Sequence, residues 1–114
     1  MRKSDKKIDN QLIKLLTEVC DSALKSIVGF QWLTHTANYD NFPKSLQITC
    51  VFDTNESLIT YQEEDNNALL SFIQSKLNSA GIKLKNISAH IRYDSEENCL
   101  NQHNGNWARR LAQH

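Results

Sequence analysis

The chain has 114 residues, and its thirteen basic and thirteen acidic side chains leave no net charge. A chain of this length usually folds as one domain, and the balanced charge excludes a strong general attraction to nucleic acid or to acidic membranes. Three cysteines are an odd number and favour free thiols in a reducing compartment. No apolar run has the roughly 20 residues of a membrane span, and no apolar segment follows the basic N-terminus, so we expect a cytoplasmic protein without membrane contact.

The N-terminal third is dominated by one helical pattern. Residues 1–7 are basic and are predicted to be a solvated lead-in to a domain that spans residues 8–93. From Ile8 to Val28, apolar side chains recur at steps of three and four, with charged side chains opposite, which predicts a long amphipathic helix. Gly29 follows the last periodic residue and is the predicted helix stop.

Three segments alternate between apolar and polar residues, as half-buried strands do. Residues 30–38 and 45–53 flank a loop that contains the only proline, so they are predicted to pair as an antiparallel hairpin. Residues 87–94 form the third strand. By this alternation, Trp32 and Cys50 belong to the buried face.

Between the second and third strands the pattern becomes helical. Thr54 or Asn55 is a suitable N-cap for a short helix, and Asp65 for a second long helix that ends at Gly81. Residues 94–114 are predicted to be a polar tail: a loop over 94–106, then one or two helical turns with Trp107 and Leu111 on one side.

The order of these elements is α-β-β-α-α-β, and it predicts an α+β fold with two layers. Both long helices cover one face of a three-stranded mixed sheet, because two apolar stripes must be buried against the one apolar face. The helical crossover allows the third strand to lie parallel to a neighbour. The uncovered face is then polar and carries Gln31, His35, Gln47, Thr49, Ser88, His90 and Arg92.

This order of elements resembles the type II KH fold, which the ribosome-binding factor A family shares. Ser71–Leu77 and the later segment I-S-A-H-I-R-Y-D-S-E-E-N (Ile87–Asn98) are similar to the long helix and the final strand of that bacterial family. The resemblance implies contact with RNA or a ribonucleoprotein. KH domains hold phosphates with a GxxG loop, and the three glycines of this chain do not form one.

A second resemblance is to a set of small gammaproteobacterial proteins, some of which carry a Fis-type regulator label. It depends on the segments D-K-K-I-D-N (Asp5–Asn10), G-F-Q-W-L-T-H (Gly29–His35) and C-V-F-D-T-N (Cys50–Asn55). Fis proteins are all-helical and end in a helix-turn-helix, whereas this sequence predicts strands and a polar tail. The resemblance implies DNA binding, which the residues themselves do not indicate.

The candidate chemical sites have simple structural interpretations. Cys99 and His103 have the spacing of half a zinc site, but a structural zinc needs four ligands. Cys50 is predicted to be buried on the face opposite His35 and His90, so it is no activated nucleophile. Glu63, Glu64 and Asp65 are read as a solvated link. We therefore predict no enzyme activity, no metal and no cofactor.

The leading hypothesis is a binding module that contacts RNA or a ribonucleoprotein through the open sheet face and the basic termini. The predicted nucleic-acid contacts are His35, Gln47, His90, Arg92, Arg109 and Arg110. Trp107 is predicted to anchor on a partner, and no small-molecule substrate is expected. One alternative is a protein–protein module or homodimer that pairs through an exposed sheet edge or the Trp107 segment. Another is a DNA-binding transcriptional regulator.

Overall fold

The periodic segments of the sequence form the expected helices and strands. The computed structural model describes residues 2–64 and 68–112. The helices are Lys3–Ser26 (α1), Asn55–Glu63 (α2), Ala68–Ser79 (α3), Glu96–His103 (α4) and Trp107–Ala112 (α5). The strands are Phe30–Thr36 (β1), Gln47–Phe52 (β2) and Ile91–Ser95 (β3). The predicted N-cap Asp65 lies outside the described residues.

The predicted fold class is confirmed. The sheet order is β1-β2-β3, with β1 antiparallel and β3 parallel to the central strand β2. α1 and α3 pack on one face, where an apolar core joins residues such as Leu12, Val19, Ile73 and Phe52. We call this the inner face and the opposite one the outer face. The expected order is followed by two further helices, α4 and α5, which we call the C-terminal pair.

The start of the first helix differs from the prediction, whereas the end of α3 agrees with it. α1 begins at Lys3 rather than Ile8, so most of the expected lead-in is helical, and Asp5 is buried there. Arg2 joins this end of the helix to the loop after β1, because its guanidinium reaches Asp5 at 3.1 Å and Asp40 at 3.0 Å. Gly81 has the expected left-handed conformation after α3, and the Ile82 amide donates to the Leu77 carbonyl at 2.9 Å.

Gly29 sets the angle at which α1 turns into β1. Its φ is +84°, and a Cβ atom at this position would lie 2.4 Å from the Cβ of Ser57, so only glycine fits. The Asp53 amide donates to the Gly29 carbonyl at 2.8 Å, which ties this turn to the end of β2.

β2 and β3 are parallel, and each is followed directly by a helix at its C-terminal end, so the two helices begin next to each other. Thr54 and Ser95 are the N-caps, and their hydroxyls accept from the amides of Ser57 and Asn98. The two helix starts are joined side by side, since the Asn55 amide side chain donates to Asn98 Oδ1 at 2.8 Å. This junction fixes the direction in which α4 leaves the sheet.

Candidate interaction site

Only part of the predicted polar face forms as expected. Gln47, Thr49 and Arg92 share the outer face, where Arg92 Nε donates to Gln47 Oε1 at 3.0 Å. Arg92 is exposed, Gln47 is half-buried and Thr49 is buried. Arg92 and Gln47 form the uncovered section of the outer face, next to the section that the C-terminal pair covers.

A β-bulge reverses the predicted facing of β1. Phe30 pairs with Phe52, but Trp32 pairs with Val51, so Gln31 is the extra residue. Placing Trp32 on the buried face and His35 on the open face was therefore wrong, because every residue after the bulge changes sides. Trp32 is on the outer face and His35 on the inner face.

His35 is held by α1 and is not free to bind a ligand. The Asp9 carboxylate accepts from His35 Nε2 at 2.9 Å and from the Tyr39 hydroxyl at 2.5 Å. The hydrogen bond from Tyr39, followed by that from His35, lowers the pKa of Asp9. The group Asp9–His35–Tyr39 joins the first half of α1 to β1 and to the loop after it.

His90 is also engaged inside the protein. The predicted strand over 87–94 begins only at Ile91, because residues 87–90 form a 3₁₀ turn. His90 Nδ1 donates to the Leu46 carbonyl at 2.7 Å, which joins this turn to the start of β2. The prediction that His90 lies on a strand of the open face was wrong.

The predicted loop over 94–106 contains helix α4 instead, and the C-terminal pair lies on the outer face. Both tryptophans donate to one carboxylate: Trp32 Nε1 to Glu96 Oε1 at 2.6 Å, and Trp107 Nε1 to Glu96 Oε2 at 2.9 Å. The two indole rings meet edge to face, with centroids 4.8 Å apart. Trp107, predicted to anchor on a partner, thus packs against its own sheet. We call Trp32, Glu96 and Trp107 the indole clamp.

Arg110 forms the second joint between the C-terminal pair and the sheet. Its guanidinium binds Asp94 in bidentate fashion, with Nε–Oδ2 at 2.5 Å and Nη2–Oδ1 at 2.9 Å. Burial acts to raise the pKa of Asp94, but the hydrogen bonds from Arg110 and from the Ser95 amide hold it below its ordinary value. Arg110 is 8% exposed, so predicting it as a nucleic-acid contact was wrong, whereas the neighbouring Arg109 is exposed.

The two cysteines considered as chemical sites, Cys50 and Cys99, are both buried. Cys50 is fully buried on the inner face, and burial raises the pKa of its thiol to about 12, far from a reactive thiolate. Cys99 is also fully buried. Within residues 2–64 and 68–112, no three His, Cys, Asp or Glu side chains are placed to share a metal ion.

The free edge of β1 is the feature that sequence reasoning did not locate. β1 has a strand neighbour on one side only, and a groove of about 370 Å³ lies between it and α1. We call this the β1 groove; it is lined by Ile13, Leu16, Thr17, Cys20, Asp21, Leu33, Thr34 and His35. Ile13 is half exposed here although it is apolar. The sequence signal was an apolar residue of α1 outside the main stripe.

Comparisons with known proteins do not extend this description. The chain matches no family model, no curated protein sequence and no solved structure. Among the described helices, none combines the length and the hydropathy required to cross a membrane.

Proposed function

We propose that this protein is a protein–protein interaction module that binds an extended segment of its partner along the free edge of β1. An added strand forms backbone hydrogen bonds with the open edge, and its alternate side chains enter the neighbouring groove. This mode of recognition needs an edge strand without a strand neighbour and an apolar pocket beside it. Two observations support it at β1: the described residues place no strand on its outer side, and the β1 groove lies next to it.

The composition of the edge strand is the observation that carries the proposal. Proteins normally protect an edge with lysine, proline, inward charges or bulges. β1 reads F-Q-W-L-T-H-T and contains none of Lys, Arg, Asp, Glu, Pro and Gly. Its bulge lies at the first residues, so Trp32–Thr36 remains regular. The other edge strand, β3, carries Arg92 and Asp94 and is shorter.

The β1 groove supplies the side-chain contacts for such a segment. Asp21 is the only carboxylate among its eight lining residues. The others are four apolar side chains, two threonines and His35. Ile13 is 50% exposed, and Leu33 and Cys20 are half-buried, so an apolar side chain of the bound segment would bury all three further. Burial of apolar surface contributes about 25 cal/mol per Å².

The experiment is a titration of ¹⁵N-labelled protein with a peptide of the β1 sequence, residues 29–37, flanked by lysines for solubility. The protein is kept dilute enough to be monomeric. We expect amide shift changes confined to β1 and the facing side of α1. Ile13→Asp should abolish them. Ile59→Asp is the matched control, since Ile59 is 51% exposed on α2 and does not line the groove. Equal shifts in both variants, or none in the wild type, would refute strand addition at β1.

RNA binding is a second candidate, and the exposure of Arg92 favours it. Arg92 lies beside Gln47 on the uncovered section of the outer face, and Arg109 is exposed on α5. Two cations give a weak salt dependence: for single-stranded RNA, affinity should fall about sevenfold when salt rises from 50 to 200 mM. Fluorescence anisotropy with a labelled RNA measures this, and Arg92→Ala should halve the slope. Binding unaffected by Arg92→Ala would remove the outer face from this hypothesis.

A further inference from the structure

This inference rests on the proposed function and names its partner. We infer that the segment that pairs with β1 is the β1 strand of a second copy of this chain, related by a two-fold axis beside Thr34. Such an interface is isologous, so the same surface must complement itself. The surface of α1 beside the β1 groove meets that requirement.

A second stripe on α1 faces the free edge of the sheet. Ile13, Thr17, Cys20 and Leu24 follow one another at steps of four, three and four, so they lie on one side of the helix. The first three line the β1 groove. Ile13 and Leu24 are 50% and 52% exposed, although an apolar side chain at the surface gains from burial. The two ends of the stripe, Ile13 and Leu24, are therefore apolar side chains that the described residues leave exposed, whereas Cys20 already packs against the core.

This stripe is symmetric about its own centre. Thr17 and Cys20 lie equally far from the midpoint between residues 18 and 19, and so do Ile13 and Leu24. An antiparallel second copy of α1 therefore sets Ile13 against the partner's Leu24 and Thr17 against the partner's Cys20. Large residues meet at the two ends and small ones at the axis, where the two backbones must approach closely.

The charges beside the stripe are complementary under the same symmetry. Lys14 and Asp21 are exposed on the solvent side of the stripe, two turns apart. Neither forms a direct ion pair among the described residues, although Lys14 interacts electrostatically with Glu18, one turn further along α1. In the antiparallel pair, Lys14 falls within one turn of the partner's Asp21, and the symmetric contact repeats it. A second copy thus supplies an opposite charge for both.

The two-fold axis that the α1 stripe requires lies close to the one that pairing of the β1 strands requires. The β1 groove brings Thr17 and Cys20 next to Leu33, Thr34 and His35, so an axis between the two helical residues passes beside Thr34. The two β1 strands then pair antiparallel, with Leu33 against the partner's His35. The product is a continuous six-stranded sheet with an α1–α1 pair on its inner face, and the unprotected edge is removed.

The decisive experiment exploits the two charges. Lys14→Glu and Asp21→Lys each turn two attractive contacts of the dimer into two repulsive ones, so each variant alone should dimerise about tenfold more weakly. An equimolar mixture of the two variants restores both contacts and should recover the wild-type dissociation constant. Sedimentation equilibrium at low salt measures all three samples. Lys44→Glu, a charge change at an exposed position before β2 that does not line the β1 groove, is the control and should have no effect.

The outcomes separate this inference from the proposed function. Recovery in the mixture supports the second copy, because each chain carries only one of the two charge changes, and only the other chain can compensate it. The inferred pairing is overturned if both charge variants dimerise with the wild-type dissociation constant. It is also overturned if the mixture does not recover that constant. A wild type that stays monomeric at millimolar concentration, yet shows the peptide-induced shifts, overturns the second copy and keeps strand addition. Absence of those shifts is the failure of the proposed function itself.

Discussion

The two faces of the sheet are covered by different physical means. On the inner face, α1 and α3 bury a large apolar cluster in which no single contact dominates. On the outer face, the short helices α4 and α5 are held by two directed joints, the indole clamp and the Asp94–Arg110 ion pair. Apolar burial is non-directional and spreads its stabilisation over many atoms, whereas hydrogen bonds and ion pairs require particular atoms in place.

This difference predicts how each layer responds to mutation. The inner layer loses stability in proportion to the volume that is removed, since the cavity left behind cannot fully collapse. In the outer layer, the loss of stability depends on which partner is removed and not on its volume. Removing one partner leaves a buried charge or donor unsatisfied. Four substitutions or conditions test this contrast, in order of decreasing effect.

The largest effect is expected at the centre of the inner layer. Phe52 is fully buried. The centroid of its ring lies 5.9 Å from that of Phe30, which it meets edge to face, and 5.3 Å from that of Tyr61. Phe52→Ala should lower the free energy of unfolding by about 4 kcal/mol. Urea unfolding followed by circular dichroism measures it. Phe72→Ala, at a partly exposed position on α3, is the control and should cost less than about 1 kcal/mol.

Arg110→Ala tests the outer layer. It leaves the Asp94 carboxylate buried without its bidentate partner and should cost about 3 kcal/mol. The neighbouring Arg109 is exposed, so Arg109→Ala should change stability by less than about 0.5 kcal/mol. If both arginine variants unfold at the same urea concentration, the ion pair does not hold α5 on the sheet.

A smaller effect is expected from Glu96→Gln in the indole clamp. An amide keeps one acceptor oxygen but replaces the other with a donor, so one indole N–H loses its partner at a cost of about 1 to 2 kcal/mol. Glu63→Gln, on the exposed side of α2, should have no measurable effect. In NMR spectra, the variant should shift both indole N–H resonances if the two rings share the carboxylate.

The smallest effect is a pH dependence from Asp94. Its pKa is lower in the folded protein than the ordinary 3.8, so its contribution to stability is complete above that value. As pH falls below 3.8 towards the folded pKa, protonation removes this contribution. The difference in unfolding free energy between the wild type and Asp94→Asn should therefore be constant from pH 5 to 8 and shrink below pH 4. A difference that grows in acid would contradict the depressed pKa.

The inner layer could be predicted from the sequence, and the outer layer could not. Periodicity locates α1, α3 and the strands because burial of one face is what these patterns encode. The bulge at Gln31 has no such signature, since F-Q-W-L-T-H-T alternates without a glycine to mark the extra residue. Because the extra residue moves every later residue of β1 to the opposite face, the sequence pattern assigned Trp32 and His35 to the wrong faces.

α4 was missed for a different reason. It has few apolar residues, so it lacks the stripe that identifies a helix, and its stability comes from contacts distant in sequence such as Asn55–Asn98. Its end signals were nevertheless present: Ser95 as N-cap, Glu96 and Glu97 in the first turn, and Asn104–Gly105 at the stop. Capping residues deserve weight even where hydropathy is low.

The indole clamp also makes the protein a self-reporting optical probe. The chain contains two tryptophans, and both stand at the one joint between β1 and the C-terminal pair. Nearly all intrinsic emission excited at 295 nm therefore originates there, while the far-ultraviolet dichroism comes mostly from α1, α2 and α3. If the two signals change at different urea concentrations, the outer layer detaches before the core melts, and no label is needed to observe it.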